Sequence, residues 1–201
     1  TGVEHIVVSA GAGNDTLIGA AGDEVFIGGD GNDTALMGAG NDTFVWNPGD
    51  DNDIVEGQAG NDTLLFNGAN IAEEINVQSN GQRALFTRNI ATVAMDLNGV
   101  ERIDFTARGG ADIVRVHDLT GTDVKEVNVD LAAIPGSGTG DGAVDQVIVD
   151  GTGGNDTLQF TGSGASASVL GLAATTTVLN AEASDQLIVD GIGHRYCDNG
   201  N

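Results

Sequence analysis

GAGNDTLI (Gly11 to Ile18), AAGDEVFI (Ala20 to Ile27), GDGNDTAL (Gly29 to Leu36), GAGNDTFV (Gly38 to Val45), GDDNDIVE (Gly49 to Glu56) and QAGNDTLL (Gln58 to Leu65) repeat one short phrase six times. Self-similarity at a short, nearly fixed period is the signature of a solenoid, in which each unit buries its apolar side only against its neighbours. The acids that close the polar half of each phrase are Asp15, Glu24, Asp33, Asp42, Asp53 and Asp62. They step by nine residues except between Asp42 and Asp53, where Trp46 and Asn47 read as a two-residue insertion.

Each half of the phrase has its own physics. Gly, Ala, Asn and Asp allow tight turns and positive φ, whereas Thr, Val, Ile, Leu and Phe suit the pleated backbone of a strand. Each unit is therefore a turn plus a very short strand, and units must stack in parallel to bury one apolar column between two sheets. Leu17, Phe26, Ala35, Phe44, Val55 and Leu64 form the expected inward column. Ile18, Ile27, Leu36, Val45 and Leu65, followed by Met37, Trp46 and Phe66, are expected at outward or edge positions, covered by flanking strands or a wider coil in preference to forming a contact face for a neighbouring domain or chain. With two turns per coil, Asp15, Asp33 and Asp53 fall on one side and Glu24, Asp42 and Asp62 on the other. That stacks carboxylates about one strand spacing apart, roughly 4.7 to 4.9 Å. Like charges so close call for a cation between them. A hard divalent ion fits, held by these acids with the turns of Gly13, Gly22, Gly31, Gly40 and Gly60, and Ca2+ suits irregular oxygen ligands better than Mg2+ does.

The phrase resembles the nonapeptide GGxGxDxUx, with U a large apolar residue, of RTX or haemolysin-type calcium-binding proteins. The resemblance covers Ala10 to Leu65. It implies a right-handed parallel β-roll with several Ca2+ ions between same-side loops, and export by a type I system. The phrase departs from that pattern where Ala10, Ala20 and Met37 replace glycines and where Glu24 replaces Asp. The insertion is expected to displace the sites that use Asp53 or Asp62.

The 201-residue chain is rich in Gly, 32 residues, and only 4% aromatic, a composition that suits a β-solenoid better than an enzyme. Its formal net charge is -23, and fourteen acids but no Lys or Arg precede Arg83, which disfavours nucleic acid and anionic membrane as partners. The single cysteine, Cys197, excludes an intrachain disulfide, so in an extracellular chain metal would take over the stapling role. Neither a transmembrane stretch nor a signal peptide is legible, and a chain opening on Thr1 reads as a piece of a longer protein with possible neighbouring domains.

Four segments are expected: a calcium-binding roll at 1-68, spacer strands or a wider coil at 69-111, a degenerate parallel β-helix at 112-192, and a disordered tail at 193-201. Gly2 to Asp15 aligns without a gap on Gly99 to Asp112, and Val144 to Gly151 recurs as Ser184 to Gly191. Strands are predicted over Ile75 to Gln78, Ala84 to Arg88 and Thr92 to Leu97, with a short helix near Ile71 to Glu74. Beyond these, Arg108 to Val114 and Gly151 to Leu158 are single copies of the phrase, so Asp112 and Asp156 join the candidate metal ligands; Gly140 to Asp145 is a weaker copy.

Catalysis finds little support. His5, His117 and His194 are scattered, Lys125 is the only lysine, and abundant carboxylates are better used as ligands than as a glycosidase pair. His117 beside Asp118 reads as a surface pair. The glycines of Pro135 to Gly142 lack the Lys and helix of a phosphate loop. The Asn column lacks the Thr column that ice-binding rolls place two positions earlier. The sequence thus predicts a non-catalytic calcium-binding structural module of a secreted or surface-attached bacterial protein. It also admits an accessory module of an extracellular protease, lipase or alginate epimerase, or an adhesin repeat.

Overall fold

In the computed structural model, which describes residues 6-191, the apolar half of each phrase is a short strand and the Gly/Asn/Asp half a corner. The repeats supply β1 (Ile6–Ala12), β2 (Thr16–Ile18), β3 (Glu24–Asp30), β4 (Thr34–Leu36), β5 (Thr43–Trp46), β6 (Ile54–Glu56) and β7 (Thr63–Asn67). The strands then continue as β8 (Glu74–Asn80), β9 (Arg83–Arg88), β10 (Val93–Asn98), β11 (Arg102–Thr106), β12 (Ile113–Val116), β13 (Glu126–Asp130) and β14 (Gln146–Asp150). The last four are β15 (Gln159–Ser163), β16 (Ser166–Leu170), β17 (Thr175–Leu179) and β18 (Gln186–Asp190). Strands too short to stand alone are stabilised by stacking, and they alternate between two nine-stranded sheets.

One sheet has the order β1-β3-β5-β7-β11-β13-β17-β16-β15 and the other β18-β14-β12-β8-β9-β10-β6-β4-β2. Pairing is parallel throughout the repeats, with Phe26 opposite Phe44 and Ala35 opposite Val55. Two zigzags interrupt it. β9 runs antiparallel between β10 and β8, and β16 antiparallel between β17 and β15. Within 69-111, where spacer strands or a wider coil are expected, β8, β9 and β10 form hairpins inserted into the sheet itself. Both sheets run through all the described segments. The aligned segments occupy matching places, since β1 and β11 lie in the same sheet, while β14 and β18 pair in register from Gln146↔Gln186 to Asp150↔Asp190.

The inward column of Leu17, Phe26, Ala35, Phe44, Val55 and Leu64 is buried, each residue 3% exposed or less. Met37, Trp46 and Phe66, expected outside or at an edge, are instead core residues without exposure. The reason is strand periodicity: residues two apart share a face, so Phe44 and Trp46 point inward together while Val45 points out. Trp46 stacks on Phe66 at 4.0 Å, Phe86 continues the stack at 4.4 Å, and the indole N–H donates to the Asp51 carbonyl at 2.9 Å. Ile18, by contrast, remains 71% exposed. No helix forms at Ile71 to Glu74, which is bend and extended chain; the 3-10 turn lies at Ile90–Thr92. The predicted tail, with His194 and Cys197, and His5 lie outside the described residues.

Candidate metal centre

The corners are tied coil to coil by two columns of hydrogen bonds. The backbone N–H of Asp15 donates to Asp33 Oδ1 and that of Asp33 to Asp53 Oδ1, both at 2.8 Å. On the opposite corner the N–H of Glu24 donates to Asp42 Oδ1 at 2.7 Å and that of Asp42 to Asp62 Oδ1 at 2.8 Å. The same-side pairing read from the repeat is thus present, and the insertion at Trp46 and Asn47 leaves it intact, since both bonds across it persist. The Asn column runs the other way: Asn32 N–H donates to Asn14 Oδ1 at 2.9 Å, Asn52 to Asn32 at 3.2 Å and Asn61 to Asn41 at 3.0 Å. Asn at this position is a rung between coils.

Each Asp spends only one oxygen on this ladder. The Oδ2 atoms of Asp33, Asp42, Asp53, Asp62 and Asp112 are buried with no hydrogen-bond partner, on residues 2% exposed or less. They turn into their own corners: a Cβ added to Gly28 would lie 2.2 Å from Asp33 Oδ2, and one on Gly57 2.7 Å from Asp62 Oδ2. Left-handed residues at the second and fourth corner positions make these turns, Gly29 (φ +94°) with Gly31 (φ +130°) and Gln58 (φ +71°) with Gly60 (φ +150°). Burial, reinforced by neighbouring carboxylates, pushes Asp53 up to about 7, Asp62 to about 6 and Asp112 to about 8, and raises Asp42 as well. A buried carboxylate oxygen without a donor takes either a proton or a cation. Among the described residues no three Asp, Glu, His or Cys side chains converge on one point. A bound ion would therefore draw several ligands from backbone carbonyls, the all-oxygen chemistry of a hard cation. The donor set fits Ca2+.

Other acids bond within their own turns, Glu24 and Glu73 through one oxygen and Asp156 through both. Glu24 is one methylene longer, and its Oε2 accepts the N–H of Ala20 in its own turn at 3.1 Å. Glu73 does the same with Ala69 at 2.9 Å, and its Oε1 is paired with the buried Arg88 guanidinium. At Asp156 the N–H and hydroxyl of Thr152 satisfy both oxygens, at 2.9 and 2.6 Å. Asp15, at the outermost rung, is only half-buried.

Sequence reasoning missed part of the ladder. The N–H of Asp62 donates to Glu101 Oε2, that of Glu73 to Asp112 Oδ1, that of Asp112 to Asp145 Oδ1 and that of Asp145 to Asp185 Oδ1. All four missed acids, Glu73, Glu101, Asp145 and Asp185, stand immediately before a strand, as Asp33 does before β4. That offset was the available signal. His117 pairs with Asp150 at 2.7 Å, not with Asp118, whose carboxylate caps the N–H of Thr120.

Residues 7-35 and 49-70 match the RTX calcium-binding nonapeptide repeat, in four copies, and repeats of this kind bind Ca2+. No curated protein matches the chain.

Proposed function

We propose that this chain, which carries RTX calcium-binding repeats at 7-35 and 49-70, is a non-catalytic structural module of a secreted or surface-attached bacterial protein that folds when it meets Ca2+ outside the cell. The observation that carries the reading is the set of buried, donorless Oδ2 atoms on Asp33, Asp42, Asp53 and Asp62. These four carboxylates would hold the ions, together with carbonyls of the turns that include Gly31, Gly40 and Gly60. The bound ion supplies positive charge where the chain has none, since fourteen acids and no Lys or Arg precede Arg83.

The chain's own residues prepare for it. The Oδ1 rungs fix the spacing of successive corners, and the Asn rungs hold the opposite edge of each turn. Glu24 braces its own turn through Oε2, which leaves its Oε1 as the oxygen that could face an ion. Where Ca2+ is scarce, as in a cytoplasm, carboxylate repulsion keeps the repeats expanded and suited to export. At extracellular concentrations ion binding becomes folding free energy, with an affinity on the order of 0.1 to 1 mM, the range of extracellular calcium modules. Circular dichroism of the whole chain during a Ca2+ titration tests this: strand signal should rise with the ion and fall with a chelator. A strand signal indifferent to both would overturn the reading.

A further inference from the structure

The acid ladder does not stop where the matched repeats do. Beyond the first zigzag the rungs resume as Glu73, Asp112, Asp145 and Asp185, joined by N–H to carboxylate bonds of 2.7, 2.8 and 3.1 Å. Within this column the corners differ in how the acid is neutralised. Glu73 reaches its own turn and is paired with Arg88. Asp112 has neither: it is 1% exposed, its Oδ1 accepts the Glu73 N–H, and its Oδ2 is buried with no donor. Arg108, in the same corner, forms no ion pair with any described residue, so the protein supplies no cation. Corner 107-112 nonetheless keeps the turn of the repeats, with Arg108 at φ +69° and Gly110 at φ +118°, the conformations of Gln58 and Gly60. The facing corner adds two carboxylates, Asp145 on the Asp112 N–H and Asp141 on the Gly110 N–H at 2.7 Å.

We propose that the corner at 107-112, facing 140-145 and outside both matched segments, binds a further calcium ion through Asp112 Oδ2, with Asp145 as the facing charge. The site extends the cation-bound ladder into the second half of the solenoid, and it rests on the reading of the nonapeptide corners as calcium sites. Asp141 is already engaged at both oxygens, by the Gly110 and Ala143 N–H groups, and serves to hold the two corners together.

Equilibrium dialysis of the whole chain against Ca2+ alone, for the wild type, Asp33→Asn and Asp112→Asn, tests it. Asn keeps the Oδ1 rung and removes the charge. Asp112→Asn should bind one ion fewer than the wild type while the ions of the repeats remain. Hydrogen exchange of the wild type supplies a measure that needs no variant: amides of 107-112 and 140-145 should slow on adding Ca2+. If Asp33→Asn loses ions but Asp112→Asn binds as many as the wild type, Asp112 holds a proton or nothing, and this inference alone fails. Unchanged exchange at 107-112 in a chain that does bind Ca2+ overturns it equally. A wild type that binds no Ca2+ overturns the reading of the repeats beneath it.

Discussion

At Asp53 one carboxylate oxygen accepts the Asp33 N–H and the other has no donor, whereas at Glu24 the longer side chain returns to the Ala20 N–H of its own turn. The donors a turn offers, rather than side-chain length, decide how much of its acid is left bare, since the shorter Asp156 is also bonded within its own turn by Thr152. This has a consequence that changes sign with calcium. Without the ion, Asp53 carries an unsatisfied buried oxygen, a feature that costs about 1 to 3 kcal/mol. Asp53→Asn keeps the rung to Asp33 and replaces the bare oxygen with an amide that can donate to the turn. In chelator the variant should melt higher than the wild type by a few degrees, about 2 to 4 °C per kcal/mol for a chain of this size. In millimolar Ca2+ it should melt lower, because a ligand has been lost. Thermal melts in the two buffers check this, and a variant destabilised in both would show that Asp53 is held by something other than a cation.

The first zigzag shows what a strand insertion needs. β9 brings Arg88 under the corner of Glu73, where the guanidinium also lies 5.3 Å from the Trp46 ring centroid, and both charged groups are almost fully buried. A buried pair of this kind is costly to break from one side: removing one partner costs about 3 to 5 kcal/mol because the other charge is left stranded. Arg88→Met should therefore destabilise the chain by that order in a denaturant titration, and adding Glu73→Gln should restore part of it. A double variant no more stable than Arg88→Met would show that packing on Trp46, not the pair, sets the cost. None of this was legible in the sequence. The nine-residue period disclosed the stacking, the inward column at Leu17 to Leu64 and the same-side acids, because each follows from a local repeat. The depth of Met37, Trp46 and Phe66 required extending the alternation two residues past each large apolar position. The pairing of Arg88 with Glu73 depends on a chain reversal whose register no local pattern encodes, and Asp112 became a ladder member only once Glu73 and Asp145 were placed beside it.

Over the whole molecule, acids dominate one end of the solenoid and guanidinium pairs stiffen the rest, with Arg83 bridging Glu56 and Asp96 in the middle and Arg115 bridging Asp150 and Asp190 toward the other end. The buried ladder acids turn this into a pH response with a definite sign. Burial raises Asp62 to about 6, Asp53 to about 7 and Asp112 to about 8, against an ordinary value near 3.9 in the unfolded chain. A carboxylate with a raised folded pKa binds more protons folded than unfolded, so its contribution to stability is fully present below about pH 4 and is lost as pH rises through 6 to 8. The net charge of -23 at neutral pH adds repulsion in the same direction. Calcium held by these acids would reverse the trend, because its ligands must be deprotonated and its affinity would therefore grow over the same interval. Melting followed by calorimetry should give a temperature that falls between pH 4 and 8 in chelator and holds level or rises in millimolar Ca2+. Parallel curves in the two buffers would mean that the ladder acids and the ion do not share a site. Crossing curves would mean that the ion replaces the protons these buried oxygens otherwise require, so that an environment both alkaline and calcium-rich favours the folded solenoid most.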